Sequence, residues 1–167
     1  MTRIVAAVLT ISDRASAGVY QDASGPLAVR LLDEHGIDAT LAVVPDDTRA
    51  IRDGIVAAIA AGARFVLTCG GTGVGPRDVT PEATAPLLDQ TLPGVIDAVR
   101  RHGTAHVPTA ALSRATAGIV RPTTALPAFV VNAPGSSGGV RDTVTVVAPL
   151  VAHVLDQLAG GDHPRSG

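Results

Sequence analysis

No lysine occurs in this chain: all 13 basic side chains are arginine. That removes the Gly-Lys-Ser/Thr ending of a P-loop and the amine of Schiff-base chemistry together. Cysteine is almost as scarce, with Cys69 the single one. One cysteine excludes an internal disulfide, is too few for a thiolate zinc site, and fits a reducing, cytoplasmic compartment. Aromatics make up only 2 % of residues against 46 % apolar overall. The core must therefore be Val, Ile, Leu and Ala, which suits a parallel sheet covered by helices on both faces. The first apolar run, Ile4 to Ile11, is too short to span a membrane and continues straight into Ser-Asp-Arg. Formal charge is −2 with both signs mixed along the chain, so no basic footprint for nucleic acid is expected. A length of 167 residues predicts one domain, here 1–159, followed by a frayed tail over 160–167.

What the chain does have is glycine-rich punctuation. The apolar run Arg64-Phe65-Val66-Leu67 reads as a buried strand and feeds Thr68-Cys69-Gly70-Gly71-Thr72-Gly73-Val74-Gly75-Pro76-Arg77-Asp78-Val79. A helix start follows, with Thr80 as N-cap, Pro81 at the first helical position and Glu82 at the positive end of the helix dipole. Strand, glycine loop and helix start together make an anion site of bare N–H groups, and phosphate is the natural ligand. The dinucleotide fingerprint fails, because its third glycine falls on Pro76.

The rest alternates strand and helix. Residues 3–12 read as a buried strand ending in a polar loop at Ser12 to Asp22. Ser24 caps a helix that Gly36 stops. Residues 38–44 form a second strand, and Asp47 or Thr48 caps a helix from about Arg49 to Ala61, ended by Gly62. Val95 to Arg101 reads as a short helix closed by Gly103, with a further helical turn over 110–114. Residues 118–123 and 128–131 read as two more strands, and helical periodicity runs from Val140 to Leu158. The expected fold is one doubly wound α/β domain, a three-layer α/β/α sandwich with a mostly parallel central sheet.

Three constellations could carry chemistry. Gly135-Ser136-Ser137-Gly138-Gly139 matches a nucleophile elbow, but Asp142, His153 and Asp156 all fall on the helix that follows it. No later strand ends remain to present an acid and a histidine, so a second amide-lined loop is the better reading. Among the histidines, His35 and His102 sit beside glycines at helix ends, where the dipole accounts for them. No histidine pair shows zinc spacing with a third ligand, and Cys69 reads as a small buried strand residue. The carboxylates remain. Asp13, Asp46 and Asp78 each lie at or beyond a strand end on one side of the sheet, although Asp46 read alone could equally be a turn aspartate. Carboxylates hold Mg²⁺ and amides hold phosphate, so the residues point to Mg²⁺-dependent chemistry on a phosphorylated small molecule, with Arg14 or Arg77 as cationic help.

The motifs also carry a resemblance. Residues 11–22 (Ile-Ser-Asp-Arg-Ala-Ser-Ala-Gly-Val-Tyr-Gln-Asp), Val44-Pro45-Asp46, the block from Gly70 to Ala83, residues 107–114 and the Asn-x-Pro-Gly-Ser of Asn132 to Ser136 are similar to the MogA/MoaB family of molybdenum cofactor biosynthesis. The first block resembles its molybdopterin adenylyltransferase branch. The resemblance implies transfer of AMP from ATP to molybdopterin with Mg²⁺, release of pyrophosphate, a homotrimer, and hand-over to a molybdenum-insertion protein. The alternative within the family is a non-catalytic molybdopterin binder or scaffold. Asp46 and Asp78 match the catalytic, Mg²⁺-holding pair. Gly70, Gly71, Thr72 and Gly73 would cradle phosphates in a pocket shaped by Thr80, Pro81 and Glu82. Ser12, Asp13 and Arg14 would line the nucleotide or pterin side, and Gly135 and Ser136 the pterin side. Where relatives often carry Pro-Gly-x-Pro-Lys, this chain has Pro-Gly-Ser-Ser-Gly-Gly. Arg141 is the candidate replacement for that lysine, although Arg does not reproduce Lys.

Overall fold

The computed structural model describes residues 3–19 and 21–161. Tyr20 of the opening motif and residues 162–167 of the expected tail lie outside the described residues.

The chain order is β1 (Ile4–Ile11), α1 (Asp13–Ser16), α2 (Ser24–Glu34), β2 (Ile37–Val44), α3 (Thr48–Ala60), β3 (Phe65–Cys69), α4 (Thr80–Thr84), β4 (Gln90–Thr91), α5 (Pro93–Thr104), β5 (Ala117–Val120), β6 (Ala128–Ala133) and α6 (Ser137–Leu158). A 3-10 turn at Ala85–Leu87 follows α4, and another at Pro108–Leu112 follows α5. The strands form one six-stranded sheet in the order β2-β1-β3-β6-β5-β4. β2, β1, β3 and β6 run parallel; β5 is antiparallel to β6, and β4 to β5.

Side-chain alternation along the strands divides the core in two. Ala6 and Val8 of β1, Phe65, Leu67 and Cys69 of β3, and Phe129 and Val131 of β6 point to one face, under α2, α5 and α6. Ala7, Leu9 and Ile11, Val66, and Ala128 and Val130 point to the other, under Ile51, Ile55 and Ile59 of α3 and Ala83 of α4. The split follows from connection handedness. The chain steps outward from β1 to β2 and then back across β1 to β3. Right-handed crossovers in opposite directions must lie on opposite faces, so α2 and α3 do. Phe65 and Phe129, the only two phenylalanines, are register partners on adjacent strands with ring centroids 5.5 Å apart.

Reversal of direction at β1 and β3 opens a crevice beyond their C-terminal ends, where open α/β sheets bind ligands. Several sequence expectations change here. β4 was not expected; two residues are too few to carry a period. The predicted polar loop after β1 contains the single-turn α1. Gly103 lies inside α5 rather than closing it, because it is buried where a Cβ would come within 3.0 Å of the Ala110 side chain and 3.2 Å of Asp142. Tertiary packing there outweighs glycine's helix-breaking preference. Pro149 sits within α6, which continues through it. Among the described residues no helix is long and apolar enough to cross a membrane.

Candidate active site

Loops leaving the C-terminal ends of β1, β3 and β6 close around a cavity of about 670 Å³. Each loop is held open by its own hydrogen bonds.

In the loop after β1, Ser12 caps α1, its hydroxyl accepting from Ala15 N–H at 3.1 Å. The cap of α2 is Asp22, not Ser24 as the local pattern predicts. Asp22 Oδ1 accepts from the N–H groups of Ser24 and Gly25 at 3.0 and 3.1 Å, and Oδ2 accepts from the Thr10 hydroxyl at 2.6 Å. The Ser24 hydroxyl is itself a donor to Asp22, at 3.1 Å. An aspartate tied to β1 through Thr10 reaches the orphan amides better than a serine already inside the helix.

The loop after β3 needs glycine at its first two positions. Gly70 has φ +117°, and a Cβ there would lie 2.4 Å from the Ile11 carbonyl oxygen. Gly71 has φ +64°, and a Cβ there would lie 2.4 Å from Thr80 Oγ1. Thr80 is therefore not the N-cap of α4, which has no side-chain cap. Its hydroxyl turns back and donates to the Gly70 carbonyl at 2.9 Å, while its N–H donates to the Gly71 carbonyl at 3.0 Å. Thr80 and Pro81 are buried beneath the loop and support it from below.

Arg114, two residues beyond the 3-10 turn at Pro108–Leu112, fastens this loop from a distant part of the sequence. Its Nε donates to the Gly73 carbonyl at 2.7 Å, its Nη2 to the Asp78 carbonyl at 2.6 Å, and its backbone N–H to the Thr72 carbonyl at 2.8 Å. It also pairs with the Glu82 carboxylate. The hydrogen bond from Arg114 holds the Glu82 carboxyl below its ordinary range. Glu82 is exposed and meets the loop through that pairing.

The loop after β6 ends at Ser136, which caps the 22-residue α6 by accepting from Gly139 N–H at 3.1 Å. Pro134 to Gly139 line the cavity, so the positive end of the longest helix opens into it.

Of the residues singled out from sequence, Ser12, Gly70, Gly71, Thr72, Gly73, Asp78, Gly135 and Ser136 line the cavity. Asp13, Arg14, Asp46, Thr80, Pro81, Glu82 and Arg141 are not among its lining residues. Asp13 and Asp46 hold each other across two loops. Asp13 N–H donates to Asp46 Oδ2 at 2.8 Å, and Asp46 N–H to Asp13 Oδ1 at 2.9 Å. Arg77 pairs with the second Asp13 oxygen. Asp46 Oδ1 lies 3.4 Å from where a Gly71 Cβ would be, and Asp78 Oδ2 lies 2.9 Å from where a Gly73 Cβ would be. The two carboxylates thus flank one short run of loop backbone. Asp78 Oδ2 also accepts from Gly75 N–H at 2.8 Å, closing the loop on itself.

Cys69 lines the cavity floor and is 1 % exposed. Burial, with a smaller push from the Asp22 charge, raises its thiol to about 12, so it carries no nucleophilic thiolate near neutral pH. The elbow-like serine does not meet His153: Ser137 and His153 sit 16 positions apart on α6, roughly 24 Å along the axis.

Local sequence reading missed Asp22 as the cap, Arg114 as the loop fastener, and Asn132. Asn132 is fully buried on β6 and donates to the hydroxyls of Thr68 and Thr84 at 2.9 and 3.0 Å, tying β3 to α4 beneath the loop. Its visible signal is that it is the chain's one asparagine, placed within an apolar strand.

A family model described as "Probable molybdopterin binding domain" matches residues 7–153. The molybdenum cofactor biosynthesis bifunctional protein of Synechococcus elongatus is 39 % identical over 161 residues, covering 96 % of this chain and 49 % of the relative. The chain thus spans about half the length of that relative. The molybdopterin adenylyltransferase of Helicobacter pylori is 34 % identical over 164 residues, covering 96 % of this chain and 90 % of the relative. Among solved structures, a molybdopterin biosynthesis protein from Mycobacterium abscessus superposes with a TM-score of 0.85 at 40 % identity, covering 93 % of this chain and 96 % of the other.

Proposed function

This chain belongs to the MogA/MoaB family of molybdopterin-binding domains, and from that premise we propose that it is a molybdopterin adenylyltransferase of molybdenum cofactor biosynthesis. The reaction joins a terminal phosphate oxygen of molybdopterin to the α-phosphorus of ATP. The α–β P–O bond breaks and pyrophosphate leaves.

One observation carries the reading. The carboxylates of Asp46 and Asp78 border the backbone of Gly71 to Gly73, in the glycine-rich loop that lines the cavity. Phosphoryl and nucleotidyl transfer asks chiefly for positioning and charge compensation. The loop amides and the α6 N-terminus, both lining the cavity, would hold phosphate oxygens. Thr80, Pro81 and Arg114 would keep the loop in that shape, and Ser12 would line the nucleotide or pterin side. Asp46 and Asp78 offer oxygen donors, the set a hard divalent cation prefers. Magnesium held there would neutralise charge on the ATP phosphates. Asp13 would orient Asp46 through their paired backbone contacts.

We place the protein in the cytoplasm as a homotrimer. The match to one half of a bifunctional biosynthesis protein supports hand-over of the product to a molybdenum-insertion partner. The test uses purified protein, molybdopterin, Mg²⁺ and ATP. Wild type should release pyrophosphate, and Asp78→Ala should abolish release while pterin still binds. Tight pterin binding by wild type without pyrophosphate release would replace the enzyme with a carrier.

A further inference from the structure

The last turn of α5, the segment after it and the second turn of α6 bring together three side chains that adenylyl transfer does not use. His102, His106 and Asp142 offer two imidazole nitrogens and a carboxylate oxygen, all within 4.8 Å of one another. Among the described residues, this is the group of three His, Cys, Asp or Glu side chains that meets so closely; Asp13, Asp46 and Asp78 do not. His102 Nε2 lies 3.5 Å from Asp142 Oδ1. The two imidazoles meet edge to face, with centroids 5.5 Å apart. Sequence spacing concealed the site because its third ligand lies 36 positions beyond His106.

We propose that His102, His106 and Asp142 form a binding site for a divalent transition metal of the Zn²⁺ class, separate from the carboxylate pair at the glycine loop. Two nitrogens and one oxygen are a borderline donor set, which suits Zn²⁺, Co²⁺ or Ni²⁺ and is poor for Mg²⁺. At metal–ligand distances near 2.1 Å, tetrahedral donors stand roughly 3.4 Å apart, so the present group must close by no more than about 1.4 Å. The backbone is already arranged for the approach. Gly103, between the histidines, lies where a Cβ would come within 3.2 Å of Asp142 Oδ2, so glycine is what lets α6 present its carboxylate to α5. His106 N–H and Val107 N–H both bond the Gly103 carbonyl, at 3.0 and 2.8 Å, fixing the turn that brings His106 back over the helix end.

Three protein ligands leave a fourth position for water or another ligand. Asp142 also lines the main cavity. An ion bound there would replace a negative charge on the cavity wall with a net positive one, beside the α6 N-terminus. It would also clamp α5 to α6.

The test is direct titration of the chelator-stripped protein with ZnCl₂ by calorimetry and with CoCl₂ by visible absorption, without ATP or pterin. Its outcome is therefore independent of adenylyl transfer. The expected result is one Co²⁺ or Zn²⁺ per chain, a tetrahedral-type Co²⁺ spectrum, a higher thermal midpoint with metal, and no competition from millimolar Mg²⁺. His106→Ala should weaken binding by at least the roughly tenfold that loss of even an outer-shell partner costs. His106 is exposed, so the metal-free midpoint of that variant should match wild type. His102→Ala should weaken binding as much. Absence of saturable binding, or binding undiminished in the His102→Ala/His106→Ala double variant, overturns the proposal.

Discussion

Replacing Arg114 tests whether the glycine loop is held from outside or stands by itself. The guanidinium donates to two carbonyls, at Gly73 and Asp78, on either side of the loop's tip. Hydrogen bonds from a charged donor contribute about 1.5–3 kcal/mol each. The side chain is 37 % exposed, so water recovers part of that in a truncated variant. Arg114→Met should therefore cost about 2–3 kcal/mol, or about 4–12 °C of thermal midpoint in a domain of this size. The ion pair with Glu82 is a small part of the loss. Exposed pairs contribute only about 0–1 kcal/mol, so Glu82→Gln should leave the midpoint nearly unchanged. Arg114→Lys keeps the charge and loses the fork, and should recover less than half of the difference. In pyrophosphate release, Arg114→Met should lower kcat more than it raises KM, because a loosened loop misplaces the reacting groups. Thermal unfolding and steady-state kinetics on the three variants decide it. If Arg114→Met unfolds like wild type and turns over like wild type, the loop does not depend on this contact.

Gly70→Ala and Gly138→Ala should move stability in opposite directions. Alanine at Gly70 meets a positive φ and the Ile11 backbone, at an expected cost of at least about 2 kcal/mol. At Gly138, in the first turn of α6, a Cβ meets nothing within 4 Å, and alanine should stabilise by about 0.4–1 kcal/mol; denaturant midpoints compare the two. Cys69 should resist thiol reagents at pH 8 until the protein unfolds, and rapid labelling of native protein would contradict its burial. Because folding raises that thiol from 9.0 to about 12, its contribution to stability is fully present below pH 9.0 and is lost as pH rises toward 12. Cys69→Ala should flatten the alkaline limb of stability against pH.

By itself, the sequence determined what neighbouring residues can decide. The Val- and Ile-rich strands, the glycine stops at Gly36 and Gly62, a cap at Asp47 or Thr48 (Asp47 in the structure), the turn of backbone at Gly70 and Gly71, and the family likeness were all legible, because each depends on residues a few positions apart. Tertiary structure alone decided which distant partners meet. It made Asp22 the cap through Thr10, turned Thr80 back onto Gly70, and brought Arg114 to Gly73 and Asp142 to His102. It also set the antiparallel edge, where a two-residue β4 exists only because β5 lies alongside it. The physical reason is the same in each case. A hydrogen bond or ligand contact across ten or more residues leaves no period and no local preference in the chain, and forms only after the layers have packed.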